Sequence, residues 1–295
     1  MSNVFLKDSS KRPSGAIFMS GSGTNAEKLL EYNKWLGTRS AWRPAVVVTD
    51  RPKTSRAREI AEKYGLPLLD HPILEYYRAH GMEKVTLATE RAREIREMWT
   101  NELRAKLAPY KIDFGILAGF VPLSNIVGDF PCLNVHPGDL TVEKDGRRFL
   151  VGLHSIPLEL AILEGHTHLR SSVIVVQPYT AGASEMDSGP ILGISEPVPV
   201  DRKGHTVEEL RKIFDARKNA HRHGANHDLL AALAAENQEN LKIHGDWIVY
   251  PQVVEDFAKG CFGYAGNHLY WREDAVHPFQ KIKTIEYGSV RKLIE

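Results

Sequence analysis

The chain has 295 residues, of which 42% are apolar and 25% charged, as is typical of a soluble globular protein with a real core. Lys plus Arg number 38 and Asp plus Glu 37, which argues against the basic footprint of a general nucleic-acid or acidic-membrane binder. Two cysteines are too few for a disulfide framework or a cysteine-based zinc site. No segment has the roughly 18 apolar residues of a membrane span, and the N-terminus lacks the apolar stretch of a signal peptide. We therefore expect a cytoplasmic protein of enzyme size.

Short apolar runs alternate with amphipathic stretches over the first two thirds of the chain. The runs predict strands at residues 15–19, 45–49, 67–69, 113–118, 132–135, 171–176 and 191–194. The amphipathic stretches predict a helix after residue 25 and helices at residues 54–64, 83–107 and 155–163. Strands that alternate with helices indicate an α/β fold, a Rossmann-like, doubly wound and mostly parallel sheet.

The last third of the chain has a different pattern. We expect an α/β domain over residues 13–204 and a helical insertion over residues 205–242. Residues 243–272 would complete the domain with a helix and a small hairpin, whose turn is marked by the Gly-Asn pair at residues 266–267. Residues 273–295 are charged, show no strong pattern and are expected to form a tail.

A glycine loop follows the first predicted strand. Gly21, Gly23 and Ala26 fit the dinucleotide pattern G-x-G-x-x-G/A, and Asp50 ends the next predicted strand. Glycines let backbone N–H groups approach a phosphate at a helix N-terminus, and nearby side chains add donors: Ser20, Ser22, Thr24 and Asn25. The loop predicts a phosphate site that would suit a phosphate monoester as well as a pyrophosphate.

Asn134 and His136 lie two residues apart at the end of a predicted strand. Residues with this spacing point to the same face, and α/β sheets bind ligands beyond the carboxyl ends of their strands. An amide can stabilise an oxyanion while an imidazole handles a proton, so the pair suits attack on a carbonyl. A structural Asn–His hydrogen bond is the alternative interpretation.

Residues 179–190 form a loop rich in Gly, Ala and Ser that carries Glu185 and Asp187. Such a loop can approach a ligand closely and contribute one carboxylate, although a solvated connection has the same composition. The histidines at residues 221–227 lack the carboxylates or HExxH spacing of a metal site, so we predict no metal.

Taken in this order, these motifs resemble the folate-dependent formyltransferases, and most closely the glycinamide ribonucleotide formyltransferases. The matching stretches are residues 17–25, 117–123, 133–137, 152–154, 186–192 and 250–260. The resemblance implies that Asn134, His136 and Asp187 are catalytic. It also implies that 10-formyltetrahydrofolate is the co-substrate, without a metal.

The resemblance assigns binding roles as well. The acceptor's phosphate would contact Gly21, Ser22, Gly23, Thr24 and Asn25. The folate would contact Arg96, Phe120, Val121, Pro122, Leu123, Gly182, Ala183 and Glu185. Asp246 would face the acceptor's ribose. The implied reaction is formyl transfer to a primary amine of a phosphorylated acceptor, in the family glycinamide ribonucleotide of purine biosynthesis.

The chain departs from the family after His136. Residues 138–151 replace a short Ser-Leu-Leu-Pro-type segment, and Ser188 stands where a second glycine is usual. Because residues 138–151 are expected to border the acceptor pocket, the acceptor could instead be another amine such as an amino-sugar nucleotide. Three other interpretations stay open: a formyltetrahydrofolate hydrolase, an NAD(P)-dependent dehydrogenase with Asp50 on the ribose, and a non-catalytic binding protein. We expect small-molecule substrates and neither nucleic acid nor membrane as partners, and a homodimer is compatible with the sequence.

Overall fold

The computed structural model describes residues 3–6, 12–153, 155–179, 186–217 and 226–295. Its strands are β1 (Asn3–Val4), β2 (Ser14–Met19), β3 (Arg43–Thr49), β4 (Leu68–Asp70), β5 (Phe114–Leu117), β6 (Cys132–His136), β7 (Glu143–Lys144), β8 (Arg147–Arg148), β9 (His168–Leu169), β10 (Ser172–Val175), β11 (Ile191–Ser195), β12 (Val198–Pro199), β13 (Phe262–Ala265), β14 (His268–Trp271), β15 (Gln280–Ile282), β16 (Thr284–Tyr287) and β17 (Lys292–Ile294). Its α-helices are α1 (Thr24–Leu36), α2 (Ala57–Tyr64), α3 (Ile73–Ala79), α4 (Glu90–Leu107), α5 (Ile156–Leu163), α6 (Val207–Ala216), α7 (Leu229–Leu241) and α8 (Trp247–Ala258). A large mixed sheet of nine strands confirms the predicted α/β class.

The chain divides into two compact units. The first contains Met1–Asn134, Val175–Pro190 and Val254–Gln280. The second contains Val135–Ile174, Ile191–Val253 and Lys281–Glu295. These units do not follow the boundaries expected from the sequence, because each is assembled from three separate stretches of chain.

The first unit is built on parallel strands in the order β6-β5-β2-β3-β4. All six residues of β2 are buried, as expected for a central strand of a parallel sheet. Helix α4 packs one apolar stripe, Ile95, Trp99 and Leu103, into a core that also holds Phe18 and Val46. The helix begins at residue 90 rather than 83, because the Thr89 side chain caps it by accepting from the Ala92 backbone N–H.

The C-terminal part of the first unit contains the predicted hairpin. Strands β13 and β14 pair antiparallel, with Phe262 opposite Trp271. Gly266 and Asn267 both have positive φ, 55° and 61°, which is the geometry of a type I′ turn. The sequence signal for this hairpin is confirmed.

The second unit has strands in the order β17-β16-β11-β10, in which β11 and β16 are parallel and the other two pairs antiparallel. This corrects the expectation of a tail over residues 273–295: β15 to β17 lie there, and Ile285 and Tyr287 are completely buried. The short run at residues 284–287 is too brief to stand out as a periodic pattern. Burial on both faces makes it a strand.

The predicted helical insertion consists of α6 and α7, which share a core with α5. Arg217 ties these helices together, because its guanidinium donates to Glu159 Oε2 at 2.8 Å and to Asp228 Oδ1 at 2.8 Å. The Arg217 side chain is 4% exposed and that of Glu159 is buried completely. The insertion is therefore an integral part of the second core. No α-helix among the described residues is long and apolar enough to span a bilayer.

Candidate active site

The glycine loop, residues 21–25, joins β2 to the first turn of α1. Gly23 has a φ of 65°, and a Cβ atom there would lie 2.4 Å from Met19 Cε and 2.6 Å from Ile60 Cδ1. Only glycine fits this backbone and this space. The loop lies at the N-terminus of a 13-residue helix, where backbone N–H groups and the helix dipole favour an anion. All five residues predicted to bind phosphate are in this one turn.

Arg56 holds the glycine loop and was not predicted as a functional residue. Its backbone N–H donates to the Gly21 carbonyl at 3.1 Å, and its Nη1 donates to the Ser22 carbonyl at 3.2 Å. In a trans peptide the N–H points opposite to the C=O. The N–H groups of Ser22 and Gly23 therefore point away from Arg56, and two consecutive donors of this kind suit an anion. No local motif marks such a tertiary contact.

Glu27, in the first turn of α1, would repel an anion at the loop if its charge were not compensated. Its carboxylate accepts hydrogen bonds from Lys63 Nζ at 2.6 Å and from Arg56 Nη1 at 3.2 Å. The hydrogen bond from Lys63 is the largest influence that lowers the pKa of Glu27, so the carboxyl is ionised and paired. The two cations thus offset the one acidic charge next to the loop.

Ser20, which immediately precedes the glycine loop, points into the protein. Its Oγ donates to Asp50 Oδ1 at 2.5 Å and accepts from the Val121 N–H at 2.9 Å, and its own N–H donates to the Gly119 carbonyl at 3.2 Å. This corrects the interpretation of Ser20 as a donor around the loop. Asp50 is 2% exposed, and burial raises the pKa of its carboxyl despite the hydrogen bond from Ser20.

Arg96 fixes the segment predicted to bind folate, Phe120 to Leu123. The Arg96 guanidinium is 3% exposed and donates from Nη1 to the Leu123 carbonyl and from Nε to the Tyr77 hydroxyl at 3.2 Å. It also lies 5.5 Å from the centroid of the Tyr77 ring. Val121, at the centre of the segment, is 39% exposed. The segment therefore combines a fixed backbone with an accessible apolar side chain.

A cavity of ≈ 1080 Å³ opens beside this segment in the first unit. Its wall has apolar and charged side chains from five parts of the chain: Asp50, Arg51, Pro52, Lys53, Thr54, Ile73, Leu74, Glu75, Arg78, Glu83, Lys84, Val85, Thr86, Leu87, Arg96, Val121, Pro122 and Leu123. The cavity brings Arg96 together with three of the predicted folate residues. Helix α3 and residues 83–87, which supply one wall, were not predicted as part of a site.

The aspartate loop, residues 179–190, is anchored at both ends within the first unit. The Tyr179 hydroxyl donates to Glu97 Oε1 at 2.6 Å, and the Tyr179 N–H donates to Asn125 Oδ1 at 3.1 Å. A Cβ atom at Gly189 would lie 1.7 Å from the Val175 carbonyl oxygen, so only glycine fits there. Burial and the neighbouring Glu97 raise the pKa of Tyr179, which keeps its hydroxyl a donor.

Asp187 lies in a short 3₁₀ turn, Met186–Ser188, and is partly exposed. The three predicted folate residues of the aspartate loop, Gly182, Ala183 and Glu185, lie outside the described residues.

Asn134 and His136 lie in β6, as predicted. Asn134 pairs with Leu117 of β5 and is partly exposed. His136 is 3% exposed, and its Nε2 is 2.8 Å from the Leu150 carbonyl oxygen. That contact assigns the Nε2 proton, because a carbonyl only accepts. The unusual segment at residues 138–151 therefore supplies the group that orients the histidine ring.

Asp246 ends a turn of π-helix, Lys242–Asp246, just before α8. It is 7% exposed and its Oδ1 accepts a hydrogen bond from Ser171 Oγ at 2.5 Å. Gly245 permits this close approach, since a Cβ there would lie 2.5 Å from the same hydroxyl oxygen. The predicted ribose contact is thus a buried carboxylate with one oxygen already engaged by serine.

The predicted catalytic residues fall in different units, Asn134 and Asp187 in the first and His136 in the second. Their convergence stays a prediction. Within the described ranges, no three His, Cys, Asp or Glu residues are arranged to hold a metal ion. Histidines 221 and 223 fall outside those ranges.

Comparison with known proteins gives structural relatives only. No protein-family model matches the sequence, and a search of curated proteins finds no match. Glycinamide ribonucleotide transformylase 1 from Symbiobacterium toebii shares 25% identity at a TM-score of 0.53, over 88% of this chain and 93% of that one.

Two further solved structures share the fold at lower identity. Phosphoribosylglycinamide formyltransferase from Coxiella burnetii has a TM-score of 0.56 and 18% identity, over 90% of this chain and 95% of that one. A formyltetrahydrofolate deformylase from Pseudomonas syringae pv. tomato has a TM-score of 0.56 and 14% identity, over 89% of this chain and 67% of that one. The chain therefore has the fold of these solved formyltransferase structures.

Proposed function

We propose that the protein transfers a formyl group from 10-formyltetrahydrofolate to the primary amine of a phosphorylated acceptor, glycinamide ribonucleotide. One observation carries the proposal: the first unit has a glycine loop at a helix N-terminus and a large, partly apolar cavity lined by Val121, and Ser20, the residue before the loop, accepts a hydrogen bond from the Val121 N–H. The loop suits the acceptor's phosphate. The cavity suits a planar, partly apolar molecule with an anionic end, because it combines Val121, Pro122 and Arg96.

The reaction needs an electrophilic carbonyl, an oxyanion site and a proton carrier. The amine nitrogen attacks the formyl carbon and forms a C–N bond and a tetrahedral oxyanion. In our proposal the Asn134 amide and the protonated His136 donate hydrogen bonds to that oxygen. The Leu150 carbonyl holds the proton on Nε2 of His136, so Nδ1 exchanges the proton.

Asp187 completes the proposed chemistry. A carboxylate near an imidazole raises the imidazole pKa and keeps the ring charged. Asp187 would also pass the proton lost by the amine, through water, to N10 of the folate. The bond between the formyl carbon and N10 then breaks, which gives the formylated amine and tetrahydrofolate. The bonds and protons balance without a further reactant.

Two alternatives use the same attack on the formyl carbon with a different nucleophile. Water in place of the amine would give formate, as in a hydrolase, and the deformylase from Pseudomonas syringae has the same fold. Another amine, such as an amino-sugar nucleotide, would be accepted if residues 138–151 shape a different pocket. A dehydrogenase is less well supported, because the Asp50 carboxylate is buried and bonded to Ser20.

The amine panel separates these functions. Purified protein is given 10-formyltetrahydrofolate with glycinamide ribonucleotide, with an amino-sugar nucleotide, or with no amine, and tetrahydrofolate release is followed. We expect rapid release only with glycinamide ribonucleotide. Equal release without an amine would show a hydrolase, and release only with the amino-sugar nucleotide would correct the acceptor. Binding of NADH in a fluorescence titration would favour the dehydrogenase.

The Asn134→Ala variant tests the catalytic assignment. Removal of one oxyanion donor costs on the order of 10²–10³ in turnover, and we expect a loss of that size with both KM values within about threefold of wild type. The control is Asn101→Ala, an exposed asparagine on α4. Turnover at the wild-type level in Asn134→Ala would refute the assignment.

A further inference from the structure

Ser20 belongs to two structural features at once. In the chain it directly precedes the glycine loop, and in space it holds the segment at residues 119–123 through two hydrogen bonds. The Ser20 N–H donates to the Gly119 carbonyl at 3.2 Å, and Ser20 Oγ accepts from the Val121 N–H at 2.9 Å. One residue therefore joins the proposed phosphate site to the proposed folate site.

Asp50 determines the direction of the hydrogen bonds at Ser20. A hydroxyl has one proton, and the Val121 N–H can only donate. The Ser20 proton must therefore go to Asp50 Oδ1, 2.5 Å away, which leaves an oxygen lone pair directed at the Val121 N–H. The chain of donors runs from Val121 through Ser20 to Asp50, and each bond polarises the next.

The buried carboxylate is costly to retain. Asp50 is 2% exposed, and its Oδ2 makes no hydrogen bond, although Arg51 Nε lies 3.5 Å away. An ionised group with an unsatisfied oxygen lowers stability compared with an apolar or neutral residue of the same size. A buried group of this kind calls for an explanation other than stability.

We propose that Ser20 and Asp50 are positioning residues that couple the two ligand sites. This rests on the proposed function, because it takes the glycine loop as the site of the acceptor's phosphate and the 119–123 segment as a folate contact. Phosphate binding orders the loop and with it the backbone of Ser20. The hydrogen bonds of Ser20 then order the 119–123 segment, so each ligand strengthens the binding of the other by the same factor.

The test measures the affinity of tetrahydrofolate with and without saturating glycinamide ribonucleotide, a pair that cannot react. In the wild type we expect the acceptor to tighten tetrahydrofolate binding. The coupling factor is the ratio of the tetrahydrofolate dissociation constants without and with the acceptor. In Ser20→Ala we expect the coupling factor to fall about fivefold, the usual size for one lost hydrogen bond. Asp50→Ala should lower it similarly, while Asp50→Asn, whose amide oxygen still accepts from Ser20, should keep it within about twofold.

Ser55→Ala is the matched control, because its hydroxyl contacts Thr49 Oγ1 at 2.9 Å and it does not line the cavity. Ser20→Cys keeps the side-chain shape but replaces the hydroxyl with a thiol, which is a weak hydrogen-bond donor and acceptor, and we expect the same loss as in Ser20→Ala. Near-ultraviolet circular dichroism reports whether each variant is folded.

Three results would overturn the coupling. They are a wild type that binds the two ligands independently, a folded Ser20→Ala variant with the wild-type factor, and unfolding of both Ser20 variants, which would show a role in folding alone. A loss in Asp50→Asn equal to that in Asp50→Ala would overturn the hydrogen-bond role of Asp50. Failure of the proposed function looks different, because the wild type would then bind neither ligand.

Discussion

The glycine loop and the 119–123 segment are fixed in opposite ways. An arginine on the surface holds the loop, since the Arg56 side chain is 38% exposed. Buried polar groups hold the segment, since Ser20, Asp50 and Arg96 are each at most 3% exposed. Hydrogen bonds made in solvent contribute little to stability, whereas buried partners are expensive to leave unpaired. The loop can therefore be perturbed locally, while a change at the segment should cost both folding and affinity.

The largest effect is expected where the loop meets the core. Gly23→Ala forces a positive φ on alanine and places Cβ 2.4 Å from Met19 Cε. We expect the free energy of unfolding, measured in urea, to fall by roughly 2–4 kcal/mol. Gly21→Ala is the control for stability, because nothing lies within 4 Å of its Cβ position and its φ is not positive. Equal stability of the two variants would contradict the described loop.

Arg96→Met tests the buried side of the comparison. It leaves the Leu123 carbonyl and the Tyr77 hydroxyl without their donor. We expect the free energy of unfolding to fall by about 2–3 kcal/mol, and KM for 10-formyltetrahydrofolate to rise about tenfold. Arg91→Met, on the exposed face of α4, should change neither quantity. A rise confined to the acceptor's KM would show that Arg96 serves the other ligand.

Arg56→Met tests the glycine loop, which is held by an exposed side chain. The Ser22 carbonyl loses the guanidinium in an exposed position, while the backbone N–H of residue 56 still donates to the Gly21 carbonyl, so we expect stability to change by less than about 1 kcal/mol. The KM for glycinamide ribonucleotide should rise about three- to tenfold while KM for the folate stays the same, because only the phosphate donors lose their support. Arg58→Met, which removes an exposed pair with Asp70, is the matched control. Equal changes in both KM values would contradict a role limited to the loop.

The smallest effect concerns pH. Burial raises the pKa of Asp50 in the folded protein above its unfolded value. The folded state therefore binds more protons between the two pKa values, and stability falls as pH rises through that window. Asp50→Asn removes this contribution, so the difference in Tm between the variant and the wild type should shift in favour of the variant from pH 4 to pH 7. A Tm difference that shifts in favour of the wild type over this range would show that the charge of Asp50 is stabilising.

The helices and strands of this fold were predictable from the sequence wherever residues close together in the chain determine the element. The apolar run before the glycine loop, the turn at Gly266 and the strand with Asn134 and His136 all depend on near neighbours in the chain. The strands at residues 284–294 were missed because each is too short for a period to be counted, and burial decides them.

The candidate site was predictable only in part, for a related reason. The residues of the glycine loop and β6 belong to motifs with a fixed spacing. Arg56 acts on a loop more than 30 positions earlier, and the Ser20 hydroxyl turns inward because Asp50 and Val121 meet it there. Such contacts depend on the packed sheet, and no spacing in the sequence records them.

The central claim is formyl transfer between two bound ligands, and the most direct measurement follows both products of one reaction. Wild-type protein is mixed with 10-formyltetrahydrofolate and glycinamide ribonucleotide, and tetrahydrofolate and formylated acceptor are quantified together by mass spectrometry. The account predicts that the two appear in equal amounts, with both strongly reduced in Asn134→Ala. Tetrahydrofolate accompanied by formate instead of formylated acceptor, or no tetrahydrofolate at all, would contradict it.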